Sequence, residues 1–432
     1  SETTRFPGRS ARHPLRDCQT MNPAATSLVH PPLPLKRGDA MEYRAISGGA
    51  FPVQVHISRF QGQNGVSEVH LTAHPVIYER FDVQLNWLLG AYRQTCESLG
   101  MDPRTAVLRR FFCSDISNQA RTLEAHPLSN PRNPDETCAI SWVCQPPVPP
   151  ARVALWAYHI HDPEGERETV RDGATAVMRR GDVAHYWTTG MTCLSGGTSH
   201  DQTRGIFRDY HDFLQKQGMA LSENAIRTWL FVRNIDADYM GLVAARRDFF
   251  SRHGLTADTH YIASTGIEGA HAAHGARVSM DAYAISGILP RQIEYLAAPD
   301  HLSPTHVYGV TFERGTAVAW RDRRHVFISG TASIDHRGEI LHPGNVLRQF
   351  DRTIENIGAL LEQAGATIAD MSLFIVYVRD PADAAKARDE MRLRFGDAPV
   401  VAVTAPVCRP GWLIEVEGQA IVPISDPSLP EF

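Results

Sequence analysis

Two acidic side chains and a cysteine near the end of this 432-residue chain have the types and spacing to handle a proton. The stretch Val400–Val422 holds two runs rich in β-branched residues around a break at Pro410-Gly411, the pattern of two strands. Side chains alternate along a strand, so Ile414 and Val416 face one way and Glu415 and Glu417 the other. Two carboxylates on one face, shortly after Cys408-Arg409, can form a proton-transfer site, because like charges held close cannot both ionise cheaply. The competing reading is a solvated acidic face.

The elements that must position these residues are clearest in the last third. Arg324–Gly330 reads as a strand ending in Gly. Val346, Phe350, Ile354, Ile357 and Leu361 fall at helical spacing, and Gly365 ends that helix as a C-cap. Met371–Arg379 reads as a strand and Pro381–Phe395 as a second amphipathic helix, giving the order β-α-β-α-β-β once Val400–Val422 is added. The same grammar recurs in His185–Gly190, Asp201–Gly218, Ala225–Asn234, Asp238–His253 and His260–Ile285. A looser copy spans Val53–Phe60, Phe81–Leu99, Ala106–Asp115, Ala139–Gln145 and Arg152–His161. The expected organisation is three diverged α+β repeats over 41–165, 166–300 and 301–432. Residues 1–40, rich in Pro, Arg and Ser, read as a disordered N-terminal extension in which Met21 is a possible internal start.

Bulk composition narrows the function classes. Hydrophobic content of 43%, charged content of 21% and a net charge of −5 fit a soluble globular protein with no basic face for nucleic acid. No apolar run approaches the roughly 20 residues of a membrane helix. Seven scattered cysteines without a CxxC pair point to reduced thiols and a cytoplasmic setting. His159-Ile-His161 has the spacing of alternate strand residues and reads as a surface feature, leaving no metal site expected.

Phe327-Ile-Ser-Gly330, Thr353-Ile-Glu-Asn356-Ile357, Val376-Tyr-Val-Arg379-Asp380 and Ile414-Glu415-Val-Glu417 together resemble the Rid (YjgF-like) family over about 100 residues. That resemblance implies a chorismate-mutase-like α+β fold, a trimeric arrangement and ligand clefts between units, so three repeats in one chain make an intramolecular pseudo-trimer, as a monomer or within a homo-oligomer. Residues 185–422 resemble the chorismatases of that superfamily, through Arg227-Thr-Trp229, Thr265-Gly266-Ile-Glu-Gly269, Val378-Arg379 and Cys408-Arg409 followed by Glu415. The resemblance implies Glu415 as catalytic acid; Glu417, two residues on along the same face, is placed to assist it or to raise its pKa. The resemblance implies Cys408 as the mark of the subgroup that makes 3-hydroxybenzoate, where Ala marks the hydrolytic subgroup. Arg227 and Arg379 are implied to hold substrate carboxylates, with Thr265, Gly266 and Arg409 in the binding set, and no cofactor. The chorismatase Tyr-Gly-Pro-Arg segment has no match in His301–Val307.

An enol ether bearing carboxylates breaks when its methylene carbon is protonated, and a carboxylic acid with a raised pKa delivers that proton at neutral pH. Glu415 is the residue type required, arginine forks suit the carboxylates, and Cys408 is assigned to pocket shape. Two other functions stay open. One is Rid-type hydrolysis of an imine or enamine, which needs an Arg about fifteen residues before the Glu, where this chain has Val400. The other is a non-catalytic ligand-binding or scaffold protein.

Overall fold

The structure, a computed structural model, describes residues 40–47 and 49–432. Except for Ala40, the expected N-terminal extension, with Met21, lies outside the described residues. The first unit contains β1 (Met41–Ile46), β2 (Val53–Gln61), β3 (Ser67–Pro75), α1 (Phe81–Ser98), β4 (Ala106–Cys113), α2 (Ile116–Glu124), β5 (Ala139–Cys144) and β6 (Val153–His161). The central unit contains β7 (Glu168–Asp172), β8 (Thr175–Arg180), β9 (Val183–Met191), α3 (Ser199–Lys216), a short α4 (Leu221–Asn224), β10 (Ala225–Val232), α5 (Ile235–Arg252), β11 (Ala263–Glu268) and β12 (Val278–Ser286). The last contains β13 (Ile293–Leu296), β14 (Gly315–Ala319), β15 (Arg323–Ala332), α6 (Val346–Gln363), β16 (Met371–Val378), α7 (Pro381–Phe395), β17 (Val400–Thr404) and β18 (Ile414–Pro423).

Each unit forms one six-stranded sheet with a shared topology, the last ordered β13-β14-β15-β18-β16-β17. The fold is α+β, three units of one topology in one chain. In each unit a strand pair precedes the expected pattern, so Val53–Phe60 lies in β2 and the counterpart of β15 is β3. The helices start where short polar residues can cap them: the Asn234, Asn345 and Asp380 side chains accept backbone N–H bonds from Ala237, Arg348 and Ala382. Gly365 follows α6 with φ of 70°, a left-handed conformation that favours glycine.

The register makes the units comparable residue by residue. Arg227 pairs with Ala263 as Leu108 pairs with Ala139, and Trp229 pairs with Asp281 as Ile375 pairs with Glu417. Asp281 and Glu417 therefore hold one position in successive units. Each receives an arginine from the unit before it: Arg110 Nη2 reaches Asp281 at 2.8 Å, and Arg227 Nη2 reaches Glu417 at 2.5 Å. Both ion pairs are buried. Toward the middle of the molecule Glu68 of the first sheet accepts from Arg323 and pairs with His325 of the last, while one apolar core draws on all three sheets.

His159 is not a surface residue. It is fully buried, with Tyr92 Oη at 2.9 Å from Nε2 and Thr105 Oγ1 at 2.9 Å from Nδ1. Strand β6 is buried on both faces, from Val153 to Ile160, so alternation there does not produce an exposed face. The six described cysteines are free thiols. No helix among the described residues is long and apolar enough to cross a membrane, and no cluster of three potential metal ligands occurs among them.

Candidate active site

Strand β18 lies between β15 and β16, and Glu415 and Glu417 are both buried, so their face is covered and not solvated. Glu415 is buried, 5% exposed. Beside it the β15–β18 register slips between Ile328 and Thr331, a bulge that carries Gly330. A Cβ on Gly330 would overlap the Glu415 carboxyl, so glycine makes room for the acid. Burial, reinforced by the negative charge of Glu417 and only partly offset by Arg227 and Arg314, pushes the Glu415 carboxyl up to about 8. It is a protonated acid at neutral pH.

Glu415 opens into a cavity of about 260 Å³ between the central and last units. Helix α5 contributes Tyr239 and Arg246, β11 contributes Ser264 and Gly266, the segment before β14 contributes Tyr308 and Arg314, and the loop before β18 contributes Cys408, Arg409 and Trp412. Arg246 and Arg314 are buried at 2% and 5% exposure. The Nε and Nη2 of Arg246 and the Nε of Arg314 have no hydrogen-bond partner. Buried guanidinium groups are costly unless an anion or acceptor completes them, so these N–H groups can receive an anion or another acceptor in the cavity. Arg314 is aimed by donating from Nη2 to the Ser303 carbonyl at 2.9 Å and by bonding the Tyr308 hydroxyl. Arg409 lies between the rings of Tyr308 and Trp412, at 4.7 and 5.0 Å.

The other expected residues are placed differently. Cys408, Arg409 and Gly266 line the cavity with Glu415. Glu417 lies behind it, accepting from Arg227, Thr265, Trp229 and Tyr377. Arg227 and Thr265 thus serve this buried carboxylate and neither lines the cavity, since Arg227 spends its charge on Glu417. Arg379 is also outside: it donates to the Val407 carbonyl at 2.7 Å and pairs with Asp236 at 2.6 Å. Burial, with Glu415 nearby, pushes the Cys408 thiol up to about 12, so it stays neutral and is a poor nucleophile. Trp412 forms one wall, and Trp320 belongs to the core.

Three residues of the site escaped the sequence reading. The tyrosine and arginine missing from His301–Val307 stand just beyond it, at Tyr308 and Arg314. Arg246 sits four residues from both Leu242 and Phe250, on the buried side of α5. An arginine in an apolar helical stripe was the available signal. Val400 does not face Glu415. By register its counterpart in the central unit is Ser264, since Phe374–Val400 matches Thr228–Ser264, and Ser264 does line the cavity.

Known proteins resemble this chain in sequence and in fold. A family profile described as Endoribonuclease L-PSP matches residues 316–422. A RutC family protein of Pyrococcus abyssi is 36% identical over 97 residues, covering 22% of this chain and 76% of that protein. The chain belongs to this Rid (YjgF-like, RutC) family. Within it the chain is a chorismatase-like member. A 3-hydroxybenzoate synthase of Streptomyces hygroscopicus is 26% identical over 287 residues, covering 61% of this chain and 80% of that protein. The crystal structure of a chorismatase superposes with a TM-score of 0.55 at 19% identity, covering 73% of this chain and 93% of that one.

Proposed function

We propose that this protein is an enzyme cleaving the enol ether of chorismate, or of a closely related acid, to pyruvate and an aromatic or cyclohexadiene carboxylate such as 3-hydroxybenzoate. The observation that carries the reading is a buried, protonated Glu415 in a cavity whose two buried arginines, Arg246 and Arg314, leave N–H groups without partners. Glu415 protonates the methylene carbon of the enol ether. The vinyl π electrons form the new C–H bond and leave an oxocarbenium ion, which the resulting carboxylate stabilises. If the ring C–O bond then breaks, its electron pair completes the carbonyl of pyruvate, and the ring cation left behind loses a proton to the Glu415 carboxylate and aromatises to a hydroxybenzoate without consuming water. Attack by water on the oxocarbenium carbon instead gives a hemiketal that collapses to pyruvate and a dihydroxycyclohexadiene acid.

Arg246 and Arg314 take the substrate carboxylates in place of Arg227 and Arg379. Tyr308 aims Arg314, and Cys408 shapes the wall beside the acid. Arg227 and Glu417 act at one remove, setting the electrostatic surroundings of Glu415. Ser264, at the position where Rid hydrolysis of imines would need an arginine in this cleft, weighs against that alternative. Incubation with chorismate tests the reading: pyruvate is expected, and Glu415→Gln should abolish it. No pyruvate from the wild-type protein overturns it.

A further inference from the structure

The cleft between the first and central units is the pseudo-symmetric twin of the Glu415 cavity. Matching the units by strand register and by helix N-caps (Asp115 with Asn234) pairs Ala120 with Tyr239, Ile140 with Ser264, Trp142 with Gly266 and Gly190 with Gly330. All four residues of the first set line a cavity of about 780 Å³, and all four of the second line the Glu415 cavity. The bulge recurs as well: the β9–β12 register slips between Met280 and Ala282, beside Gly190. Gly190 has φ of 64°, so glycine is required there on backbone grounds. Between the last and first units the counterpart strand β3 pairs with β6 without a slip, and the cavity there shrinks to about 30 Å³.

The twin has exchanged its acid for hydrogen-bond donors. Ser279 stands at the register position of Glu415, two residues before Asp281. The side chain facing Gly190 is His271, whose Nε2 would lie 3.7 Å from a Cβ built there, much as Glu415 faces Gly330. His271 Nδ1 accepts the Ala273 N–H at 2.9 Å, which leaves the ring proton on Nε2, toward the cavity. Arg171 lines the same cavity; it donates to the carbonyls of Gly173 and Asn133 and makes no ion pair among the described residues. Trp142 supplies a ring whose N–H is already tied to the Ser129 carbonyl at 2.8 Å, so it offers only its aromatic surface.

We propose that this cleft is a second, non-catalytic binding site for a planar carboxylic acid, with the carboxylate on Arg171 and His271 and the ring against Trp142. A guanidinium, an imidazole N–H and an aromatic wall together select an anion with a flat apolar body. With serine at the Glu415 position, the site holds the acid without protonating it. The site needs no turnover at Glu415.

Calorimetric titration of the full chain with 3-hydroxybenzoate tests this, with Arg171→Ala and the cleft-filling variant Ala120→Trp alongside. Each variant is expected to bind one equivalent fewer than wild type, or to weaken one class of site at least about tenfold. Both are expected to release pyruvate from chorismate at the wild-type rate. The neutral analogue 3-hydroxybenzyl alcohol is expected to bind this site at least about tenfold more weakly. Unchanged stoichiometry and affinity in Ala120→Trp, or equal binding of the alcohol, overturns the proposal. Because binding and pyruvate release are read separately, loss of the Glu415 reading leaves this test intact.

Discussion

The carboxyl of Glu415 fills the space that a β-carbon on Gly330 would occupy, in the bulge that carries Gly330. The acid is held in place by a missing side chain, with the buried strand beneath it fixing its height. Gly330→Ala should therefore push Glu415 out of its position while the sheet survives. Pyruvate release is expected to fall at least about a hundredfold, as for loss of a positioned general acid. The melting temperature should drop by only a few degrees. A rate within a few fold of wild type would show that the acid tolerates displacement.

Protonation of Glu415 couples activity and stability to pH in the same direction. Its ordinary pKa of 4.5 in the unfolded chain rises to about 8 in the folded protein. Between these values the native state holds a proton that the unfolded chain has released. Stability from this group therefore falls as pH rises through that window, by at most about 1.4 kcal/mol per pH unit. The loss levels off above the folded value. Turnover, which needs the acid form, should be flat below about pH 7 and decline above about 8. Urea unfolding across this range, with Glu415→Gln as the reference lacking the slope, checks the stability arm. Stopped pyruvate assays over the same range check the rate.

The parts of this site legible in the sequence are those carried by short-range pattern. Glu415 and Cys408 sit on or beside strands with strong β-branched character, and α6 and α7 show caps and spacing that one element reveals alone. What escaped depends on partners distant in the chain. Arg227 looks like a free substrate arginine until Glu417, 190 residues away, is folded onto it. Tyr308 ends a single 3-10 turn (Thr305–Tyr308) and Arg314 lies in the irregular chain before β14, both too short to carry a periodicity that marks them. Strands β7 and β13 were missed because they are short edge strands, at five and four residues, with little apolar run. His159 was misjudged because alternation indicates a wet face only when a strand has one.

Arginine substitutions separate the cavity from its surroundings. Arg246→Met and Arg314→Met each remove a guanidinium that this cavity buries with unpartnered N–H groups. Each should lower kcat/KM by about tenfold to a thousandfold, mostly through KM. Arg379→Ala removes a group tied to Asp236 and the Val407 carbonyl outside the cavity, and should stay within about threefold of wild type. Steady-state kinetics of the three variants decide the point, and a collapse of kcat/KM in Arg379→Ala would move substrate binding to the other side of the loop.

The Arg227–Glu417 pair should behave as structure. Glu417 accepts from four side chains and has no face on the cavity, so Arg227→Met leaves a buried carboxylate without its cation. Breaking one side of such a pair costs about 3–5 kcal/mol. The expected result is a melting temperature lower by several degrees. The double variant Arg227→Met/Glu417→Gln should recover part of the loss, because it removes both charges. Equal melting temperatures for the single and double variants would show that packing, and not the charge, carries the effect.

Cys408 tests what the wall beside the acid does. Its thiol is pushed up to about 12 by burial and by Glu415, so almost none is thiolate at neutral pH. Alkylation by iodoacetamide should be slow, and Cys408→Ala should keep pyruvate release within about tenfold of wild type. The same substitution opens space in the wall beside Glu415, where, in the proposed reaction, a water can enter. The ring product is therefore expected to shift from a hydroxybenzoate toward a dihydroxycyclohexadiene acid, read by chromatography against both standards. Loss of all pyruvate in Cys408→Ala, with Glu415 intact and the fold unchanged by circular dichroism, would instead make the thiol a participant in the bond-breaking step.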